Sequence, residues 1–315
     1  MNSKGAQVRS SSYCPPLPKG RSPAGPKLIH NARMQHDTFY ADDGETLHLR
    51  HSGSGTPLLL LHGWTASHAA WSPLVEPLAK HHRVLRPDAR GHGGHVLKVN
   101  PVPDVKRLAR DVINLLDHFE LDQVAAVGHS MGALTLWQCL RDFGPERFSH
   151  LTFIDQSPKL LTDDTWSGGI YGDFDRARAQ RFVDDLKADF AEAVLRLIAF
   201  GLNTKARETY LRNSSGWRAA RDALRHVDAT AAIAIWQSLV ASDFSDVLAS
   251  IKVPTLLAYG TCSNFYTEEV ARFVAAQLPH ASLHFYEGAD HCPHLVQPER
   301  FVRDLMRNYG LADLS

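Results

Sequence analysis

No charge of either sign predominates in this chain. Its 34 lysines and arginines balance 34 aspartates and glutamates, so no global field steers it toward nucleic acid or an anionic surface. An apolar run of about 18 residues, the length a membrane-spanning helix requires, is absent. Cysteine is scarce. Cys14, Cys139, Cys262 and Cys292 form no C-x-x-C pair, which excludes a dense disulfide framework and makes a reducing cytoplasm the expected compartment. There is no Gly-rich phosphate loop and no dinucleotide fingerprint, so no cofactor is expected. The first 36 residues contain no Asp or Glu, yet carry Lys4, Arg9, Lys19, Arg21, Lys27 and Arg33. They have no apolar h-region, and Pro15, Pro16, Pro18, Pro23 and Pro26 break any amphipathic helix, so neither a signal nor a transit peptide fits. Residues 1–35 read as a disordered, basic, proline-rich tail, with Met34 as an alternative start.

What is present is 315 residues, 44% hydrophobic and 22% charged, enough for one large α/β core. From residue 35 apolar runs alternate with stretches of helical spacing. Residues 37–41 and 46–51 flank Asp42-Asp43-Gly44-Glu45 and read as a hairpin. Strands are expected at 57–61, 82–85, 123–127, 150–155, 253–259 and 282–286, and helices at 71–80, 104–119, 133–143 and 298–309. Strands separated by helices imply a parallel sheet covered on both faces. Ligands then bind beyond the carboxyl ends of the strands, where His62, Asp88, Ser130, Asp155 and Gly260 fall. After Asp155 the rhythm stops. Residues 173–200, 207–211, 216–227 and 231–240 read as helices in an insertion too long to be a loop. The expected plan is a core of residues 36–156 and 247–315 with a helical cap over 157–246. Trp166, Trp217 and Trp236 are the cap aromatics proposed to line a substrate pocket, although such residues as readily pack a cap onto its core.

The stretch richest in chemistry is Gly128-His129-Ser130-Met131-Gly132. It has the form G-x-S-x-G and sits between an expected strand and an expected helix, the setting in which a serine can be lifted on a sharp turn above the sheet edge. Gly128 and Gly132 supply the room such a turn needs. A serine hydroxyl needs a base to take its proton, and the base needs a carboxylate to orient it. His291, in Gly288-Ala289-Asp290-His291, follows the last strand on a loop that can reach the elbow.

With Leu61-His62-Gly63-Trp64, Arg86-Pro87-Asp88-Ala89-Arg90-Gly91-His92-Gly93 and Ile251-Lys252-Val253-Pro254-Thr255-Leu256, these stretches span residues 36–310 in an order that resembles the α/β-hydrolase superfamily. The resemblance implies an α/β-hydrolase fold, Ser130 as nucleophile, His291 as base, and oxyanion-hole N–H groups from Trp64 and Met131. It implies an acid in a G-x-x-D arrangement after the penultimate strand. This chain has Gly260-Thr261-Cys262-Ser263-Asn264 there, with no carboxylate before Glu268. Ser263 and Asn264 can hydrogen-bond an imidazole but cannot offer it a full charge. Asp155, at the end of the strand after the elbow strand, is therefore assigned as the acid, a place some members of the superfamily use.

That placement also resembles the cofactor-independent dioxygenases of 3-hydroxy-4-oxoquinolines, in His62-Gly63-Trp64, Ser130, Asp155 and His291; Met131 departs from their Gly-His-Ser-His-Gly. The reading taken is a serine hydrolase of small apolar or aromatic esters or lactones. A cofactor-free dioxygenase, a haloperoxidase-like perhydrolase and a non-enzymatic ligand receptor are the alternatives. A small molecule is the expected partner, with neither nucleic acid nor membrane, and the oligomeric state stays open. Asp88 reads as structural, satisfying N–H groups of its Gly-rich loop. His81-His82 and His92-x-x-His95 lack partners at zinc-ligand spacing and read as solvated histidines, so no metal is expected.

Overall fold

The structure, a computed structural model, describes residues 35–98 and 102–310. The basic tail read from residues 1–35 lies almost wholly outside them. Eight strands form one sheet: β1 (Gln35–Tyr40), β2 (Thr46–Ser52), β3 (Thr56–Leu61), β4 (His82–Pro87), β5 (Val124–His129), β6 (Phe148–Ile154), β7 (Thr255–Gly260) and β8 (Ala281–Tyr286). Their spatial order is β1-β2-β4-β3-β5-β6-β7-β8. β1 and β2 pair antiparallel as the expected hairpin, β2 pairs antiparallel with β4, and every later pairing is parallel. A mostly parallel sheet flanked by helices is the α/β class expected from the alternation.

The apolar strands are buried because both sheet faces are covered. Leu59 and Leu61 of β3 join one cluster with Trp137 and Phe153, while Leu58 and Leu60 join a second with Trp71 and Phe301. This is the two-residue period of a strand read directly in packing. In the core the helices are α1 (Ser72–Ala79), α2 (Val105–His118) and α3 (Met131–Phe143). Between β6 and β7 come α4 (Arg176–Ala188), α5 (Phe190–Ala199), α6 (Thr204–Leu211), α7 (Ser215–Leu224), α8 (Ala229–Val240) and α9 (Ser245–Leu248). α10 (Glu268–Gln277), α11 (Pro293–Val296) and α12 (Pro298–Asn308) complete the chain.

Two expectations change. The helix read over 173–200 is two helices, because Asp189 is extended (φ −151°, ψ 94°) and its carboxylate caps α5 by accepting from Glu192 N–H at 3.1 Å. A short acidic side chain competes with the helix by offering that cap. The sequence reading places no element over 261–281, where the structure has α10.

Of the histidines read as solvated, His82, His92 and His95 are packed inside, while His81 is half-buried. His82 is buried against Thr56 Oγ1 at 2.9 Å, His92 Nδ1 donates to the Arg90 carbonyl at 3.1 Å, and His95 lies between Gly91 N–H and Glu45. Each is held by a local hydrogen bond that spacing alone does not reveal. Asp88 is structural, but its partner is His68: it accepts from the His68 backbone N–H and from Nδ1, both at 2.7 Å. Gly93 (φ 61°) then has to be glycine, since a Cβ there would sit 2.3 Å from the Asp88 carboxyl carbon.

The β5–α3 crossing is closely packed. A Cβ on Gly132 would lie 2.3 Å from the Leu61 carbonyl oxygen, and one on Gly128 would lie 2.6 Å from backbone of Gly132 and Ala133. Helix propensity alone would favour Gly132→Ala by about 0.8–1.0 kcal/mol. Overpacking a rigid site costs about 1–3 kcal/mol, and the obstacle here is backbone. Gly132→Ala is therefore expected to lower the urea midpoint; a midpoint at or above that of the unsubstituted protein would show that the crossing is not tight.

Candidate active site

Ser130 stands between β5 and α3 with φ 53° and ψ −117°, a combination that costs on the order of 1–3 kcal/mol and persists only where its surroundings impose it. The surroundings are the glycines. Gly63 faces the turn from the β3 side, where a Cβ would approach His129 Nδ1 at 3.0 Å and Ser130 Cβ at 3.3 Å. The Ser130 N–H bonds the Ile154 carbonyl at 3.3 Å. No side chain caps α3, so its first N–H groups and the positive end of its dipole are left to the cleft.

Asp155 ends β6, fully buried, at φ 47°, a left-handed conformation that aspartate tolerates better than most residues. Its Oδ2 accepts from His291 Nδ1–H at 2.6 Å and from Ser263 Oγ–H at 2.6 Å. His291 comes from the loop between β8 and α11. The elbow itself holds that loop: His129 Nε2–H donates to the His291 carbonyl at 2.9 Å. Asn264 holds it from the other side, accepting from His291 N–H at 3.3 Å while its own amide donates to the Ile198 carbonyl of α5 at 3.1 Å. Phe265 meets the imidazole edge-on at 4.5 Å between centroids.

The electrostatics follow from dryness. Burial pushes the Asp155 carboxyl up, and hydrogen bonds from Ser263 and the Gly260 backbone pull against it. Burial pushes the His291 imidazole down, so the ring is neutral at neutral pH. Its Nε2 has no hydrogen-bond partner among the described residues. A neutral ring with Nδ1–H spent on a carboxylate presents a lone pair at Nε2, which is what a general base requires.

Ser130, His291, Trp64 and Met131 all line one cleft of about 850 Å³, part of it open to solvent. Its walls are mostly apolar: Leu134 from α3, Val194 and Leu197 from α5, Trp236 from α8 and Phe265 from the loop after β7. Of the three cap tryptophans, only Trp236 lies there, its ring tilted by 38° against Trp64 at 4.7 Å between centroids. Trp166 packs on Phe273 of α10 at 4.6 Å, and its indole N–H donates to the Lys159 carbonyl. Trp217 is buried within the cap beside Tyr210, bonded to Thr209. Trp166 packs the inserted segment onto the core and Trp217 consolidates the cap, the outcome expected of large aromatics where packing space decides. Trp64 also ties core to cap, its indole N–H donating to the Ala232 carbonyl at 2.9 Å.

Ser263 and Asn264, whose types can hydrogen-bond an imidazole, make other bonds beside it. One bonds the acid and the other the His291 backbone. Gln156 and Tyr266, bonded to each other at 2.9 Å, also line the cleft and were not singled out by sequence. The available signal was position: Gln156 follows Asp155, and Tyr266 closes the loop in which the usual carboxylate is missing.

Comparison with known proteins agrees with this architecture. Pimeloyl-acyl-carrier-protein methyl ester esterase of Aliivibrio salmonicida is 26% identical over 267 residues, covering 83% of this chain and 95% of its own. The enzyme of the same name from Pseudoalteromonas atlantica is 27% identical over 266 residues, covering 84% and 98%. Among solved structures, an esterase from Exiguobacterium antarcticum superposes with a TM-score of 0.71 at 21% identity, covering 86% of this chain and 97% of that one. A bromoperoxidase from Bacillus anthracis superposes at 0.74 and 19% identity, covering 88% and 100%. The family model described as alpha/beta hydrolase fold matches residues 56–299, and the chain belongs to that family.

Proposed function

We propose that this protein is a serine hydrolase that cleaves small apolar or aromatic esters or lactones. The observation that carries the reading is a strained Ser130 lining the same cleft as an imidazole whose Nδ1–H is committed to Asp155 and whose Nε2 has no hydrogen-bond partner among the described residues. Ser130 Oγ attacks the ester carbonyl while His291 Nε2 takes its proton. The carbonyl electron pair moves onto oxygen, facing the N–H groups of Trp64 and Met131. Collapse of this intermediate expels the alcohol, which receives the proton from Nε2. Water then repeats the sequence on the acyl-enzyme. Asp155 keeps the proton of His291 on Nδ1 and faces the imidazolium formed at each transfer. The names of the two relatives support ester chemistry, and the apolar walls support an apolar acyl or aryl group.

A fluorophosphonate probe is expected to label Ser130, and Ser130→Ala is expected to abolish labelling and lower kcat on aryl esters by about 10⁴-fold or more. An unlabelled protein that consumes oxygen with a hydroxyquinolone would replace hydrolysis with the cofactor-free dioxygenase reading. Asp155→Asn is expected to lower kcat by about 10⁴-fold through loss of the imidazole orientation. If that variant keeps its kcat while Asn264→Ala loses it, the acid is misassigned. Trp236→Ala is expected to change the kcat/KM ratio between aryl and short acyl esters, whereas Trp166→Ala should leave that ratio unchanged; equal shifts in both variants would remove Trp236 from the substrate wall.

A further inference from the structure

Ser263 is the fourth residue from Gly260, where the G-x-x-D arrangement would carry its carboxylate. It is buried, and its hydroxyl meets three groups. Backbone N–H groups of Phe265 and Tyr266 approach Oγ at 3.2 and 3.3 Å, and Asp155 Oδ2 lies at 2.6 Å. A hydroxyl has two lone pairs and one hydrogen. The two N–H donors occupy the lone pairs, so the hydrogen is left to point at Asp155. The same Oδ2 receives Nδ1–H of His291 at 2.6 Å. A carboxylate oxygen can accept both hydrogens, whereas a protonated Oδ2 would collide with one of them. Oδ1 has no partner among the described residues, so what the direction of the hydroxyl fixes is Oδ2 as the acceptor of both hydrogens and the Nδ1–H tautomer of His291.

We propose that Ser263 is a positioning residue for the His291–Asp155 pair, its O–H oriented by two backbone N–H groups so that Asp155 Oδ2 stays an acceptor aimed at Nδ1. This rests on the serine-hydrolase reading above. The other ionisable groups around the pair supply no positive charge. His129 on β5 and His294 on α11 are pushed well down by burial. Tyr259 on β7 and Tyr266 in the following loop are pushed up by burial and by Asp155 itself. Asp290, before His291, is pushed up to about 6, mainly by burial. Stabilisation of the carboxylate thus falls to hydrogen bonds, and Ser263 gives one as short as that from His291, both at 2.6 Å.

The sign follows. A hydrogen bond to the carboxylate spreads its charge and makes the pair a weaker base. Without it the pair holds the Nε2 proton to higher pH, so the acid limb of kcat/KM moves up. The test compares Ser263→Ala, Ser263→Cys and Ser263→Thr with the unsubstituted protein, using kcat/KM for an aryl ester and the rate of fluorophosphonate labelling between acid and neutral pH. Ser263→Ala is expected to move the limb up by about one pH unit, the scale of a hydrogen bond to a charged group. A thiol is a weak donor, so Ser263→Cys should move it the same way by less, and carries the test if the alanine variant folds poorly. Ser263→Thr, which keeps the hydroxyl, should titrate near the unsubstituted protein. A fall in rate with an unmoved limb in the alanine and cysteine variants would overturn the proposal and leave Ser263 a packing residue. Absence of labelling in the unsubstituted protein would overturn the hydrolase reading and this proposal with it, which separates the two failures.

Discussion

Backbone packed directly on backbone at the end of β5 is the constraint on which the rest of this molecule depends. Gly128 and Gly132 let the chain reverse from strand to helix with no side chain between α3 and β3, and Gly63 lets the neighbouring strand end approach the turn. That closeness forces Ser130 into a left-handed conformation and leaves the start of α3 uncapped. The strain is held by the sheet, whose central strands are buried on both faces, and by the large aromatic side chains Trp71 and Trp137 beneath and above it. A looser crossing would let Ser130 relax into an ordinary helix start and lose its place beside the histidine loop.

Around that crossing most of the polar side chains are buried, and some of their atoms, Asp155 Oδ1 and His291 Nε2 among them, have no hydrogen-bond partner among the described residues. Desolvation works against both members of the His291–Asp155 pair, pushing the carboxyl up and the imidazole down. The pair survives because both hydrogen-bond donors converge on one oxygen and because the loop carrying His291 is pinned through its backbone, by His129 on one side and Asn264 on the other. Asp155, the proposed acid, sits one strand nearer the elbow than the G-x-x-D place after β7, and that place is filled by the Ser263 hydroxyl, which bonds Asp155.

The inserted helices are joined to the core at residues that also border the cleft. Trp64 bonds Ala232 and packs against Trp236, while Asn264 bonds Ile198 and its carbonyl accepts from Leu202 N–H. The walls of the cleft and the orientation of His291 are therefore mechanically connected: a shift of α5 reaches the histidine loop through a single asparagine side chain.

The sequence by itself determined the alternation of strands and helices, the glycine-flanked serine, the late histidine and the lack of a carboxylate after Gly260, because each is local: a two-residue or helical period, a turn that only small residues permit, a missing residue type. Asp155 was proposed as the acid from that gap together with the resemblance to superfamily members that carry the acid on the strand after the elbow strand. What only the tertiary structure decided was which side chains share a space. Ser263 turned toward Asp155 instead of the imidazole, Trp236 entered the cleft while Trp166 and Trp217 stayed in the cap, and His82, His92 and His95 went inside. A residue's type limits the bonds it can make, but its partner is chosen by the direction of its Cα–Cβ bond and by burial, and both are set by packing between segments far apart in the chain.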